Sequence, residues 1–204
     1  MPSLLHIDSS PRTESVSSKL ANAFVDRWKL RNPSGTVLHH NTSLEAVPYL
    51  DEKVIEAFFT PAAELTAEQR NTLARSDQHV DELLAADAVV IGAPMWNLSV
   101  PASLKAWIDM IVREGRTFAF TPRGVVPLVP PGKKIYVFTA RGGAYPTNSP
   151  LRALDHQEPY LRAILGVIGL TEIEFIHAGH QSEGEIAAAE GIANAVGALE
   201  ALAY

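Results

Sequence analysis

A run of hydroxyl side chains near the start of the chain offers the donor groups that a phosphate requires. Between Ser9 and Ser18 the sequence reads SSPRTESVSS, which contains five serines, Thr13 and Arg12. Hydroxyl groups donate hydrogen bonds without bulk, and a helix that starts here presents free N–H groups and partial positive charge. Plain helix capping is the alternative, because Ser and Thr cap helices in many proteins. G-x-G-x-x-G and G-x-x-x-x-G-K-[ST] are both absent, so the phosphate site is neither a dinucleotide Rossmann site nor a P-loop.

Two further segments could hold a flat ring with polar edges. Residues 95–98 combine an indole, which offers a flat apolar face, with an amide that both donates and accepts hydrogen bonds. Residues 140–143 end in two glycines, which allow a ligand to approach backbone N–H groups. Core packing and an ordinary turn are the respective alternatives. The residues of the two segments are Met95, Trp96, Asn97, Leu98, Ala140, Arg141, Gly142 and Gly143.

An alternation of strands and helices must position these three segments. Short apolar runs predict strands at 4–8, 36–40, 88–92, 135–139 and 172–177. Apolar stripes and capping residues predict helices at 15–31, after Thr66, after Pro101, at 158–168 and at 183–202. The pattern predicts one α/β domain over residues 1–204, with a five-stranded parallel sheet in the flavodoxin-like order 2-1-3-4-5 and helices on both faces. Ligands bind such sheets beyond the carboxyl ends of the strands at the switch point, where all three segments would lie.

Composition narrows the classes of partner and chemistry. The formal net charge is −6 without a concentrated run of Lys and Arg, which argues against a nucleic-acid partner. The chain has no cysteine, so disulfides, thiolate metal ligands and Cys nucleophiles are excluded. No apolar run reaches the about 20 residues that cross a bilayer, and no signal-peptide pattern opens the chain. These features predict a cytoplasmic protein that does not enter membranes.

A Pro-rich segment and two histidines allow further local predictions. Residues 121–134 contain four prolines, and we predict a loop there that fixed φ angles make stiff. His79 and His156 are predicted to be surface residues on helical segments.

Beyond these local features, the chain resembles the FMN-dependent NADH-azoreductases, also described as FMN-dependent NADH:quinone oxidoreductases, over nearly its whole length. The resemblance rests on the Ser-Ser loop with Ser15-Val16-Ser17, on 93–97 (APMWN) continuing through 100–109, on 117–121 (TFAFT), and on 140–143 (ARGG). The second of these segments is the most specific. The family's usual M-Y-N-F reads MWNL here, so Leu98 replaces an aromatic residue, and the Pro-rich loop also departs from the family's form. Both departures bear on substrate range more than on FMN binding.

The resemblance implies FMN as the cofactor and NADH or NADPH as the reductant. It implies hydride transfer through the flavin to quinones, azo compounds or nitroaromatics in a ping-pong cycle, without a catalytic acid or base. It also implies a homodimer with both sites at the subunit interface. The resemblance implies that the FMN phosphate is bound by Ser10, Ser15, Val16 and Ser17. It implies that the isoalloxazine is lined by Met95, Trp96, Asn97 and Leu98, and that the polar edge of the ring meets Ala140, Arg141, Gly142 and Gly143. The acceptor would contact Asn97, Phe118 and Phe120.

Other protein classes fit parts of the sequence less well. A serine hydrolase could use residues 8–10 (DSS) after a strand, but G-x-S-x-G is absent. No metal is predicted, because the adjacent His39 and His40 point to opposite faces of a strand and H-E-x-x-H is absent. A phospho-acceptor domain needs an Asp where Ala93 and Pro94 stand. A flavodoxin-type electron carrier, which binds FMN without oxidising NADH, remains the open alternative.

Overall fold

The structure, a computed structural model, describes residues 1–202. Strands and helices alternate along most of the chain. In chain order the elements are β1 (Ser3–Asp8), α1 (Val16–Arg31), β2 (Thr36–Asn41), α2 (Glu52–Phe59), α3 (Ala67–Ala85), β3 (Ala88–Pro94), α4 (Ala102–Ile111), β4 (Phe118–Thr121), β5 (Gly124–Pro127), β6 (Lys134–Ala140), a 3-10 turn (Pro150–Leu154), α5 (Glu158–Val167), β7 (Ile173–Ala178) and α6 (Glu185–Ala201).

Five of the strands form one parallel sheet in the order β2-β1-β3-β6-β7. Counted along the chain, these five strands have the order 2-1-3-4-5, so the predicted flavodoxin-like α/β fold is confirmed. The register pairs Asp8 with Gly92, Pro94 with Ala140, and Ala140 with Ala178. Because these parallel neighbours end nearly level, β1, β3 and β6 deliver the loops that follow them to one edge of the sheet.

Two apolar clusters cover the two faces of the sheet. Successive strand residues point to opposite faces, so Ile91 joins one cluster and Val90 the other. The first cluster packs the sheet against α3, α4 and α5, with Leu83, Trp107 and Leu161 among its buried members. The second packs it against α1 and α6. Each large apolar side chain that is fully buried stabilises the fold by about 1.5–3 kcal/mol relative to an exposed one.

The capping residues that the sequence indicates start two of the helices. Ser15 is the N-cap of α1, and Thr66 forms a capping box with Gln69 at the start of α3. These reciprocal hydrogen bonds satisfy N–H groups that the first helical turn leaves unpaired. Helix α2 lies between the predicted strand at 36–40 and Thr66, where the sequence pattern predicts no element. Asp51 caps it by accepting from the N–H of Val54 at 2.9 Å.

The prediction of a loop at 121–134 is wrong in part, because β4 and β5 form an antiparallel hairpin that reaches into it. Thr121 pairs with Gly124, whose φ of +109° a glycine adopts without strain. Pro122 occupies the turn and Pro127 ends the second strand, positions at which a strand tolerates proline. Prolines therefore bound this short hairpin, and they do not prevent it.

The prediction that His79 is a surface residue is also wrong. His79 is 1% exposed, since it lies on the inner side of α3 with its ring 5.2 Å from that of His40. His156 is exposed as predicted, but it stands between the 3-10 turn and α5. Within residues 1–202, no helix combines the length and apolar character that crossing a membrane requires.

Candidate functional site

The first loop leaves β1 and runs into α1 with its serines turned inward. Ser10, Ser15 and Ser17 are buried, and Val16 is half-buried. The Oγ of Ser15 accepts a hydrogen bond from the Ser18 N–H at 3.3 Å. The first turn of α1 contains no acidic residue of its own, and its N–H groups form the positive end of the helix dipole. This helix end therefore suits an anion.

Asp8, at the end of β1, holds the first loop in shape. Its Oδ1 accepts hydrogen bonds from the Ser18 hydroxyl at 2.8 Å and from the Ser10 N–H at 3.2 Å. Ser9 donates through both its N–H and its hydroxyl to the carbonyl oxygen of Gly92, at 3.0 and 2.8 Å. A Cβ at Gly92 would stand 3.2 Å from Asp8 Oδ1, so the missing side chain permits this close packing. The first loop is thus fixed between β1 and β3.

The second loop begins with a tight turn after β3. Trp96 and Ser99 exchange two backbone hydrogen bonds, each 3.0 Å long. Between them Asn97 has φ of 47° and Leu98 has φ of 69°, which is the pattern of a type I′ turn. Asn tolerates this left-handed backbone, but for Leu it costs roughly 1–2 kcal/mol. Strained backbone of this kind concentrates at functional sites, where the surrounding structure maintains it.

The same turn directs a large aromatic side chain outward. Trp96 is 45% exposed, and Asn97 is exposed beside it, whereas Met95 and Leu98 are half-buried. An indole with a free face at the carboxyl edge of the sheet offers a surface on which a flat ring could stack.

Glycines bring the third loop, after β6, close to the segment that follows β7. The Ser182 N–H donates to the Gly142 carbonyl oxygen at 3.0 Å. A Cβ at Gly142 would stand 3.0 Å from Ser182 Oγ, and one at Gly143 would stand 3.3 Å from Glu183 Oε1. The two glycines therefore leave room for this packing and keep their backbone uncovered by side chains of their own.

Arg141 belongs to the same loop, but its side chain points into the protein and is 3% exposed. Its Nη1 donates to Asp155 Oδ2 at 3.1 Å, and its Nε donates to Gln157 Oε1 at 3.2 Å. Its backbone is engaged as well, because the N–H donates to the Ala178 carbonyl oxygen at 2.9 Å and the carbonyl oxygen accepts from the Gln181 N–H at 3.0 Å. The predicted contact between Arg141 and a cofactor therefore stays a prediction. No motif in the sequence marks Asp155 and Gln157, the two polar residues before α5 that hold this side chain.

One hydrogen bond joins the second and third loops directly, and two more connect the second loop and the end of β3 with residues 156–157 before α5. The Met95 N–H donates to the Ala140 carbonyl oxygen at 2.8 Å, and Gln157 Nε2 donates to the Ala93 carbonyl oxygen at 3.1 Å. The N–H of His156 donates to the carbonyl oxygen of Leu98 at 3.0 Å. The structure thus brings the predicted ring-binding segments together and fixes their relative position.

Phe118 and Phe120 lie elsewhere, on the hairpin strand β4. Their rings meet edge to face at 5.4 Å, and Phe120 is 63% exposed. Together with Phe58 and Phe59 they line a groove that contains none of the residues of the three loops. In a single chain, these two aromatic residues are therefore separate from the predicted cofactor site.

A cavity of about 390 Å³ borders the third loop on the side of β7 and α6. His177 lies at its wall, and its Nδ1 is 2.8 Å from the hydroxyl oxygen of Thr139. Burial, and next the Arg141 guanidinium, lower the pKa of His177 to about 4, so the ring is neutral near pH 7. His180 pairs separately with Glu183 at 2.8 Å. His177 and His180, although only three positions apart, therefore have separate partners.

Known proteins share both the sequence and this architecture. A family model described as the flavodoxin-like fold matches residues 2–203. An FMN-dependent NADH:quinone oxidoreductase of Nostoc sp. strain PCC 7120 is 45% identical over 200 residues, which make up 98% of this chain and 97% of that protein. The chain belongs to the FMN-dependent NADH:quinone oxidoreductase family. The sequence-based prediction of this family, and of an oxidoreductase, is thereby confirmed.

Other known proteins are similar to this chain over nearly its whole length. A relative of the same description from Herminiimonas arsenicoxydans is 42% identical over 197 residues, covering 96% of this chain and 94% of that one. An azoreductase from Bacillus anthracis str. Sterne superposes with a TM-score of 0.86 at 30% identity, covering 99% of this chain and all of that one. An FMN-dependent NADH-azoreductase from Bacillus anthracis str. Ames Ancestor, solved in complex with FMN, gives a TM-score of 0.88 at 26% identity, with coverage of 98% and 96%.

Proposed function

We propose that the chain binds FMN at the carboxyl edge of its sheet and uses NADH or NADPH to reduce quinones, azo compounds or nitroaromatics. The observation that carries the proposal is the convergence of the three loops after β1, β3 and β6 at the switch point of the sheet. Membership of a family whose relatives are described as FMN-dependent supports the choice of cofactor.

The first loop fits the phosphate of FMN. Ser15 and Ser17 stand at the N-terminus of α1 with their hydroxyl oxygens 3.0 Å apart, and Ser10 lies on the loop before them. Donor hydroxyls and helix N–H groups provide hydrogen bonds to a dianion, and α1 lacks the acidic first-turn residue that would repel it. Val16 contributes its backbone N–H at the first position of the helix.

The second and third loops fit the ring. Residues 95–98 would line the isoalloxazine with the exposed Trp96 beside it, and residues 140–143 would meet its polar edge through backbone groups. The hydrogen bonds between these loops hold the two surfaces in a fixed relation, which orients a bound ring without ordering cost at the time of binding.

FMN, when bound, would supply the redox chemistry by passing a hydride equivalent from reduced nicotinamide to an electron-poor acceptor. The residues of this chain would position the reactants and stabilise negative charge with the N–H groups of Gly142 and Gly143. The nicotinamide and the acceptor would occupy the same surface beside Asn97, one after the other. Because they cannot be bound together there, we expect ping-pong kinetics. The described site offers no acid–base pair, and this chemistry does not need one.

We further propose a homodimer in which the hairpin completes the partner's site. The exposed Phe120 and the half-buried Phe118 form an aromatic edge that residues 1–202 of the same chain leave partly uncovered. Aromatic side chains of this kind contribute strongly to interfaces and to the binding of flat acceptors.

The first test is an absorbance spectrum of the purified protein, followed by addition of NADH under anaerobic conditions. A flavin spectrum that NADH bleaches, and that a quinone restores, is the expected result. Ser17→Ala should weaken FMN retention, whereas Ser34→Ala, an exposed serine before β2 at the opposite edge, should leave it unchanged. A protein that stays colourless with added FMN would refute the proposal, and a flavin that NADH does not bleach would indicate an electron carrier.

Initial rates test the order of binding. Parallel double-reciprocal lines at several fixed acceptor concentrations are expected for the shared surface. Intersecting lines would show that both substrates are bound at once.

A further inference from the structure

Two buried histidines and a glutamate meet between β2 and α3, away from the three loops. His40 is near the end of β2, and His79 and Glu82 lie on α3. His40 Nε2 is 2.9 Å from Glu82 Oε2, and His79 Nδ1 is 3.4 Å from the same oxygen. The three potential ligand atoms all lie within 4.8 Å of one another.

Local structure explains why these side chains converge. His79 and Glu82 are three residues apart on a helix, so they share a face. Alternation along β2 turns His40 towards that face, whereas His39 is exposed and stacks on His6 at 4.5 Å. Histidine motifs in the sequence do not indicate this cluster. His40 lies 39 positions before His79, and only the fold brings β2 and α3 together.

His40 also has the outer partner that metal-binding histidines typically have. Its Nδ1 lies 2.8 Å from Glu45 Oε2, which leaves Nε2 directed at Glu82. Glu45 is itself held by the Asn41 N–H and by Arg75, at 3.0 Å each. A carboxylate that receives the other ring N–H fixes the tautomer in which the inner nitrogen is free to bind an ion.

Each ring nitrogen of His40 faces a carboxylate oxygen, so an ion at Nε2 would take the place of the 2.9 Å contact with Glu82 and keep both groups as its ligands. Glu45, Glu82 and Arg75 together carry one net negative charge, so a divalent cation is electrostatically favoured.

We propose that His40 Nε2, His79 Nδ1 and the Glu82 carboxylate bind one divalent transition-metal ion, for which Zn²⁺ is the best fit. Two imidazoles with one carboxylate suit Zn²⁺, whereas Mg²⁺ and Ca²⁺ prefer oxygen ligands. Ligand atoms around tetrahedral Zn²⁺ stand roughly 3.3 Å apart, close to two of the observed separations. The Glu82 side chain is 15% exposed, which provides a route for the ion and for water as a fourth ligand.

The ion would stabilise the segment that supports the serine loop. Glu45 belongs to a turn in which Ser43 Oγ donates to the Ser9 carbonyl oxygen at 2.7 Å, and Asn41 Nδ2 donates to that of Ser10 at 3.4 Å. We therefore expect the ion to have a structural role, with no contact to the reacting groups.

The test is zinc binding by the full-length flavoprotein after removal of any affinity tag and dialysis against a chelator. Titration calorimetry should show one Zn²⁺ per chain, and zinc should raise the melting temperature. His79→Gln and Glu82→Gln should each weaken binding by more than roughly tenfold, and Glu45→Gln by about 10–100-fold. His39→Gln, which changes an exposed histidine, and His180→Gln, which changes a half-buried histidine paired with Glu183, should bind zinc as the unaltered chain does.

Circular dichroism of each variant without zinc establishes that it is folded, and Glu82→Gln decides the question if His79→Gln does not fold. Absence of stoichiometric binding, or equal binding by Glu82→Gln and the unaltered chain, would overturn the metal site. Zinc binding is measured independently of flavin colour, so a colourless protein that binds zinc would refute the proposed function and support this inference.

Discussion

Gln157 Nε2 donates a hydrogen bond to the carbonyl oxygen of Ala93 at 3.1 Å, across 64 positions of the chain. The same side-chain amide accepts from Arg141 Nε through its oxygen. One amide therefore connects the end of β3 with the loop after β6, the two places that would hold the flat part of a cofactor. This side chain is fully buried, so water cannot replace either hydrogen bond.

Replacing Gln157 with Leu should remove both bonds and leave Arg141 with fewer partners in the interior. We expect the free energy of unfolding to fall by about 2–4 kcal/mol in urea denaturation, with weaker FMN retention. Gln157→Glu is the comparison, because its carboxylate still accepts from Arg141 Nε, whereas the donor to Ala93 is lost and a buried negative charge is added. If both variants retain flavin and stability like the unaltered chain, the amide does not connect the loops as described.

The positive φ at Leu98 predicts an unusual order of stability. Because glycine adopts φ of 69° without strain, Leu98→Gly should be more stable than Leu98→Ala by about 1 kcal/mol. Leu30, an exposed residue in the last turn of α1, is the control, since Leu30→Ala should there be more stable than Leu30→Gly. Urea denaturation of the four variants gives the comparison, and the same order at both positions would contradict a strained turn.

His6 predicts a loss of stability in acid. Its ring is 2% exposed, and burial, followed by His39 and Lys29, lowers its pKa to about 3. In the unfolded chain a histidine has a pKa of about 6.5, so below that pH the unfolded state takes up a proton that the folded state refuses. The contribution of His6 to stability is therefore retained above pH 6.5 and declines as the pH falls towards 3.

Between pH 7 and pH 5 this residue should lower the free energy of unfolding by about 2 kcal/mol. His6→Phe should reduce the pH dependence by that amount in urea denaturation at the two pH values. His156→Gln, which changes an exposed histidine, should retain the full pH dependence of the free energy of unfolding. An unchanged decline in His6→Phe would show that other groups cause it.

A negative charge at the start of α1 should stabilise the helix but weaken FMN binding. Val16→Glu places a carboxylate in the first turn, where the helix dipole stabilises it but a phosphate would be repelled. Compared with Val16→Gln, we expect roughly tenfold weaker FMN binding in fluorescence titrations of the apoprotein, with a smaller difference at high salt. Equal affinities for the two variants would indicate that the phosphate binds elsewhere.

The sheet and the serine loop could be predicted because their signals are local. Continuous apolar strands such as β3 and caps such as Ser15 are decided by neighbouring residues, and parallel strands must end at one edge. The location of the loops after these strands can be predicted from the strand order alone. The hairpin was missed because prolines were interpreted as breakers, although they occupy its turn and its end.

What could not be predicted depends on pairs that are distant in the chain. Nothing near His79 indicates that its helix face meets β2, and nothing near Gln157 indicates that Ala93 is its partner. Polar residues give no periodic signal, so their burial is decided by tertiary packing. The positive φ at Leu98 is equally hidden, because Leu does not mark a left-handed turn as Gly would.

The order of the strands has a consequence for synthesis on the ribosome. β1 and its serine loop emerge early, but β6, which lies beside β3 in the sheet, emerges more than half a chain later. A nascent chain that ends before the Gly142-Gly143 loop contains the residues proposed to bind the phosphate but lacks part of the surface proposed to bind the ring. Capture of the cofactor should therefore be a late event of biogenesis, and truncated translation products should not sequester flavin.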